Sequence, residues 1–417
     1  MRKSFATLVC TRISATCGIY ANAGLPVRWD TDKLFETPAC TPLPVMDSAG
    51  VKAVLIDGID YKGEKTRFFA YYGLPEGASE KSKVPAMVLI HGGGGSAFWN
   101  WVKAWNERGY AAIAMDTTGK LPTRLAGDPF GKTYGNWALL PGGIQLDWGG
   151  YDRSFRAPEE QWPYCAVAEV IMAHSFIRSL PEVDAESTAL TGNSWGGYLT
   201  LLTSAVDTRF KFAAPVYACG YYDECPVFKG KESREQQLRW FDLWDPAHYI
   251  PEIKIPIVWA AGTNDFAYWF APLQKSFALV RAPLYRAVRY KMRHTDGHQE
   301  AGRPAEFYAF ADHMFKGAHG LPQLGTTMIR NGKAYARFED GGCEITKAEI
   351  FYTKDKEGKW PERGWTVEEI PFNAGSGKVS ADIPQDAEII FFNLTTADGL
   401  VASSAAIFNV SMYEAGR

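Results

Sequence analysis

The chain has 417 residues, 46% apolar and 22% charged, with a formal net charge of -3. That balance belongs to an ordinary globular protein, excludes a mainly disordered chain, and leaves no electrostatic footprint for nucleic acid or an anionic membrane surface. No run of eighteen apolar residues occurs, which excludes a membrane-spanning helix of the usual kind.

At the N-terminus, Arg2 and Lys3 precede an apolar stretch over residues 5–10, interrupted afterwards by Arg12, and Ala21-Asn22-Ala23 has the small-residue pattern of a cleavage site. Residues 1–24 are therefore expected to be a signal peptide for export to the periplasm or beyond, the alternative being an N-terminal extension that packs on the surface of a cytoplasmic protein. After a polar stretch, segments 51–56 and 66–72 alternate like two antiparallel strands around the turn at Gly63. Residues 86–90 then form a continuous apolar run, ending in His91-Gly92-Gly93-Gly94-Gly95 before a helix over 98–108.

Segments 110–115, 188–191, 212–217, 255–260 and 285–292 repeat that buried-strand character, with helical segments between most of them. In the helix over 165–179, Val167, Val170, Ile171, His174 and Ile177 share one face, so His174 reads as a core histidine. Alternating strand and helix imply an α/β class with a doubly wound, mostly parallel sheet, here over residues 25–320. Two aperiodic stretches, 117–158 and 221–251, follow strand C-termini and are placed to wall a ligand pocket or merely decorate the surface. Beyond residue 321 short strands alternate with turns such as Asn331-Gly332 and Asp398-Gly399, and a small β-sandwich is expected over 325–417.

The seven cysteines, at 10, 17, 40, 165, 219, 225 and 343, include no C-x-x-C pair or Cys/His cluster, so no structural zinc site is expected, and the serine chemistry read below calls for neither a metal nor an organic cofactor. Cys219 and Cys225 suit a local disulfide, although buried free thiols are the simpler reading.

Gly192-Asn193-Ser194-Trp195-Gly196 matches G-x-S-x-G between a buried strand and a helix, the context in which a sharp turn exposes a serine nucleophile. A serine hydroxyl needs a base to take its proton, and the loop after the last strand offers two, in Arg293-His294-Thr295-Asp296-Gly297-His298. His298 is preferred because it lies nearer the following helix; His294 is the alternative base. Asp265, ending the penultimate strand segment, is the expected acid, with Asp223 as the alternative and helix capping as the structural explanation of either. The N–H of Trp195, with that of Gly93 or Gly94, would form the oxyanion hole. A phosphate-binding loop at these glycines is disfavoured because no Gly-Lys-Ser/Thr follows.

These motifs, with residues 179–184, Gly262-Thr263-Asn264-Asp265 and the segment 306–312, resemble the acetyl-xylan-esterase and dienelactone-hydrolase-like branch of the α/β hydrolases, related to the prolyl oligopeptidases. The resemblance runs from about residue 51 to 320. It implies an esterase that removes acetyl or methyl groups from a polysaccharide or oligosaccharide, and places the base at His298. A small-molecule or glycan ester is thus the expected partner; the sequence says nothing of oligomeric state. Two other readings stay open, a serine peptidase and a catalytically silent fold that binds glycans. For the peptidase, Glu159-Glu160 is the one adjacent acidic pair near the inserts, although it reads more simply as the acidic start of a helix. Arg153 and Arg156 could meet a uronate carboxylate, or be solvated surface arginines.

Overall fold

The structure, a computed structural model, describes residues 24–123, 137–228, 230, 232–294 and 304–410. The expected signal segment therefore lies almost wholly outside the described residues. Leu25, Val27 and Trp29 are already buried against the body of the protein, ahead of the short helix α1 (Thr31–Leu34).

The nine strands of the central sheet are β1 (Cys40–Pro42), β2 (Lys52–Asp57), β3 (Arg67–Gly73), β4 (Val84–Ile90), β5 (Ala111–Met115), then β8 (Val183–Asn193), β9 (Ala213–Val216), β10 (Ile257–Gly262) and β11 (Leu284–Arg289), a short hairpin of β6 (Lys120–Pro122) and β7 (Trp137–Leu139) standing apart. Their order is β1-β2-β3-β5-β4-β8-β9-β10-β11. The first three run antiparallel to their neighbours, and every pair from β5 to β11 is parallel. Parallel strands buried on both faces explain the continuous apolar runs: all five residues of β5 and all six of β10 are buried.

Helices α2 (Trp99–Asn106), α3 (Trp162–Arg178), α4 (Trp195–Val206), α6 (Phe270–Leu279) and α7 (Ala305–Lys316) connect or follow the strands. The 221–251 stretch is less irregular than expected. It holds α5 (Arg234–Trp244), started by a capping box in which Ser233 accepts from the Gln236 N–H and the Gln236 side chain accepts from the Ser233 N–H.

The C-terminal strands are β12 (Gln323–Leu324), β13 (Met328–Arg330), β14 (Lys333–Glu339), β15 (Ile345–Thr353), β16 (Thr366–Glu369), β17 (Lys378–Asp382), β18 (Ile389–Thr396), β19 (Val401–Ser403) and β20 (Ile407–Phe408). They make two antiparallel sheets, one around β14 and one around β15 and β18. Ala334, Ala336 and Val379 of the first share a core with Ile350, Ile390 and Phe392 of the second. The alternate residues Phe351, Ile389 and Phe391 turn the other way and join the core of the main sheet, where Phe391 meets Phe270. The second sheet is thus buried on both faces, which ties the C-terminal strands to α6.

Candidate active site

Ser194 sits where β8 gives way to α4, with φ 58° and ψ -120°, a strained backbone for a residue bearing a Cβ. The bend survives because of the glycines around it. A Cβ on Gly192 would collide with the Gly196 carbonyl, one on Gly196 with the Ile90 carbonyl of β4, and one on Gly197 with the Val216 carbonyl of β9. The bend is pinned by the Ser194 N–H, which donates to Val216 at 3.0 Å, and by the Ser194 carbonyl, which accepts from Tyr198 at 2.9 Å.

Asp265 lies just past β10, buried, and its two oxygens do different work. Oδ1 accepts from the Ala267 and Tyr268 N–H groups at 2.9 and 2.7 Å, which fixes the turn. Oδ2 is 2.7 Å from Nδ1 of His294. A buried carboxylate that only accepts puts the imidazole proton on Nδ1 and leaves Nε2 with its lone pair 2.9 Å from Ser194 Oγ.

His294 is therefore the histidine that joins Ser194 to Asp265, where sequence reasoning preferred His298. His298 lies outside the described residues. The loop delivers its first histidine because it crosses tightly over the end of β10. The Lys291 N–H donates to Thr263 Oγ1 at 3.0 Å, the Tyr217 hydroxyl donates to the Arg293 carbonyl, and a Cβ on Gly262 would strike the Met292 carbonyl. Aromatic rings hold the imidazole: Tyr217 and Phe266 each lie 4.8 Å from it, and Tyr268 lies parallel at 6.0 Å.

Asp223, the alternative acid, does not serve here. It is half exposed and forms a two-pronged ion pair with Arg234 of α5. Arg153 and Arg156 likewise face Asp152 and Glu160, and Glu160 also takes Lys62 at 3.3 Å. The Glu159-Glu160 pair precedes α3 in a single 3-10 turn.

Gly93 and Gly94 follow β4. Their N–H groups and that of Trp195 donate to no described residue, so all three stay available to an incoming oxygen. His91 anchors this loop: its Nδ1–H donates to the Gly92 carbonyl at 2.8 Å, and its Nε2 accepts from the Thr117 N–H at 3.1 Å. Burial holds it below the usual histidine range, in the neutral form those bonds require.

Residues from both inserts converge on Trp195. Trp148 lies 5.6 Å from its ring on one side, and Tyr222, Phe228 and Trp240 lie 5.9, 5.4 and 6.3 Å away on the other. Sequence reasoning missed Tyr268, whose buried hydroxyl lies beside those of Ser194 and Tyr222 without a fully formed hydrogen bond. The cue was its place three residues after Asp265, in the turn that carboxylate caps. Cys219 and Cys225 are free, buried thiols 3.9 Å apart. Among the described residues no cluster of His, Cys, Asp or Glu could hold a metal ion.

His174 is the core histidine its helical stripe predicts. It bridges Asp207 at 2.7 Å and Thr188 at 2.8 Å, stacked on Phe210.

Residues 45–255 match the family model for acetyl xylan esterase (AXE1), just over half of the chain. The chain belongs to the acetyl xylan esterase family. The matched span holds the glycine loop and Ser194, whereas Asp265 and His294 lie beyond it. Acetyl xylan esterase 1 from Thermoanaerobacterium sp. JW/SL YS485 superposes with a TM-score of 0.50 over 68% of this chain and 92% of that one, at 15% identity, and the shared fold is the α/β-hydrolase fold. Among curated sequences, a probable dipeptidyl-peptidase 5 of Emericella nidulans is 29% identical over 168 residues, 39% of this chain and 20% of that protein. Dipeptidyl-peptidase 5 of Aspergillus oryzae is 25% identical over 199 residues, 46% of this chain and 23% of that protein. The match thus spans about a fifth of the length of these relatives.

Proposed function

We propose that the protein is a serine carboxylesterase that removes acetyl or methyl ester groups from a polysaccharide or oligosaccharide. The observation that carries this reading is the unbroken chain from Ser194 Oγ through both nitrogens of His294 to Asp265. In the first step Oγ attacks the ester carbonyl while Nε2 takes its proton. The tetrahedral oxyanion is met by the Trp195 N–H with that of Gly93 or Gly94, and the imidazolium by the Asp265 carboxylate. Collapse breaks the ester bond, and Nε2 returns the proton to the leaving alcohol. Water then attacks the acyl-enzyme with His294 again as base, releasing the acid and free Ser194.

A Cβ on Gly93 would stand 2.8 Å from the Trp195 ring and 3.2 Å from Trp148, so both rings pack against the loop that offers the oxyanion donors. Trp148, 44% exposed beside the buried Trp195, offers a ring to a sugar face. Membership of the acetyl xylan esterase family points the same way.

The peptidase reading draws on the dipeptidyl-peptidase relatives. Against it, Glu160 is already taken by Lys62 and Arg156 and is poorly placed to hold a substrate N-terminus. Release of acetate and methanol from a panel of acetylated and methyl-esterified polysaccharides, beside turnover of dipeptide naphthylamides, tests the proposal. Ester turnover that disappears in Ser194→Ala with an unchanged unfolding midpoint is the expected result. Faster turnover of the amides would overturn it, as would full activity in Ser194→Ala. Export directed by residues 1–24 is part of the same proposal, because a polysaccharide substrate taken from the surroundings would be met outside the cell membrane.

A further inference from the structure

A cleft of about 410 Å³ opens between α6, β11 and the C-terminal strands, on elements that do not carry Ser194. Its walls are mainly apolar, from Ala271, Phe277 and Ala278 on one side and Ala405, Ala406 and Phe408 on the other. Two polar groups face that apolar lining. Arg286 donates from Nε to the Ser403 carbonyl at 3.2 Å and from Nη2 to the Leu324 carbonyl at 2.6 Å. Nη1 donates to no described residue, and no carboxylate among the described residues pairs with this guanidinium. The second group is Gln274, 8% exposed, whose Oε1 accepts from the Ala406 N–H while its Nε2 is buried without a partner.

Both unmet groups are donors, and one carries a full positive charge. Backbone carbonyls orient a guanidinium but do not neutralise it, and a charge held beside apolar surface gains strongly from an anion. Burial pulls this guanidinium down to about 10, which still leaves it cationic at neutral pH. The complement is a group that only accepts and bears one negative charge, attached to an apolar body. A volume of 410 Å³ is in the range of small-molecule sites. Lys275, also at the cleft, is engaged with Glu224 at 2.7 Å and adds no free charge.

We infer that this cleft is a second binding site, separate from the Ser194 centre, for a small monocarboxylate with an aliphatic or aromatic body. The carboxylate meets Nη1 of Arg286, and the apolar body lies between Phe277 and Phe408.

Isothermal titration of the full chain with 4-phenylbutyrate and with 4-phenylbutan-1-ol tests the site. The Ser194→Ala background is used so that neither hydrolysis nor acylation contributes to the heat. The carboxylate is expected to bind one per chain, at least tenfold more tightly than the alcohol. Arg286→Gln should weaken it at least tenfold, and Ala278→Trp should do the same by filling the cleft. Because Arg286 also holds two carbonyls of the C-terminal strands, the Ala278→Trp result stands alone if Arg286→Gln fails to fold. No carboxylate binding at 10 mM, equal affinity for the alcohol, or undiminished binding in Ala278→Trp overturns the site. Each of these results leaves the esterase reading untouched, since ester turnover is measured separately on the native chain.

Discussion

Nε2 of His294 stands 2.9 Å from Oγ of Ser194, although the two residues are a hundred positions apart and belong to separate βα connections. The contact depends on two independent backbone constraints. One is the strained elbow at Ser194, and the other is the crossing of the 291–294 loop over Gly262. Losing either would leave a serine hydroxyl with no base, and a serine so placed is an ordinary alcohol at neutral pH.

His294→Ala should therefore lower kcat for p-nitrophenyl acetate by about 10⁴ or more, matching Ser194→Ala, because members of such a unit fail together. His298→Ala should leave kcat within about threefold of native. Fluorophosphonate labelling followed by intact-mass measurement is the check. Full labelling of the His294→Ala protein together with its loss in the His298→Ala protein would return the base to position 298.

Asp265→Asn should keep the turn, since the amide oxygen can still accept from Ala267 and Tyr268, yet lower kcat by about 10⁴ through the wrong imidazole tautomer. Asp265→Ala should add a stability loss of about 1 kcal/mol for those two orphaned N–H groups. Urea unfolding of both variants beside their kcat separates the two effects. Equal stability of the two would show that Oδ1 contributes nothing to the turn.

Much of this architecture was legible in the chain. Ser194 was readable because G-x-S-x-G fell between a buried strand and a helix, and Asp265 because it closed the next-to-last apolar run. The histidine was not, because His294 and His298 share one loop, and what separates them is a three-dimensional crossing of Met292 over Gly262 that linear spacing does not encode. Helix α5 hid in a polar stretch whose buried apolar residues, Trp240, Phe241 and Trp244, crowd its C-terminal half, although its Ser233 and Gln236 capping box was there to be read. In β18 and in residues 350–353 of β15 the usual inward and outward alternation vanishes because both faces are covered, one by the C-terminal core and one by the main core.

Gly196→Ala tests the elbow without touching a reacting atom. The added methyl would meet the Ile90 carbonyl, a backbone group with little freedom to move, and the expected cost is about 3 kcal/mol. A lower urea midpoint with an unaltered m-value is the signature to look for. Native stability in that variant would mean β4 and α4 can part more easily than their packing implies.

Tyr268→Phe keeps the ring parallel to His294 and removes only the hydroxyl beside Ser194. Because that hydroxyl is buried without a full hydrogen bond, its loss should leave stability unchanged or raise it by about 1 kcal/mol. A donor beside Ser194 Oγ can turn to the oxyanion that forms on the carbonyl bonded to that oxygen, so kcat is expected to fall about tenfold with KM little changed. A drop in melting temperature at native kcat would make Tyr268 a packing residue only.

His174 supplies a stability test independent of catalysis. Burial pushes it down to about 4, against the opposing pull of Asp207, while Arg209 nearby also disfavours its charge. The unfolded chain takes up a proton near pH 6.5, which the folded chain refuses until pH falls to about 4. Across that window the unfolded state holds more protons, so stability falls as the solution is acidified, by about 1.4 kcal/mol per pH unit. From pH 7 to pH 5 His174 alone should therefore contribute about 2 kcal/mol to the native protein's loss of stability in urea unfolding, to which buried His91 adds in the same direction. His174→Gln, which cannot titrate, should show a slope flatter by that amount while starting from lower stability at pH 7, because Asp207 and Thr188 lose part of their pairing. A slope identical to that of the native chain would mean that His174 is already protonated inside the fold, as half of an ion pair with Asp207.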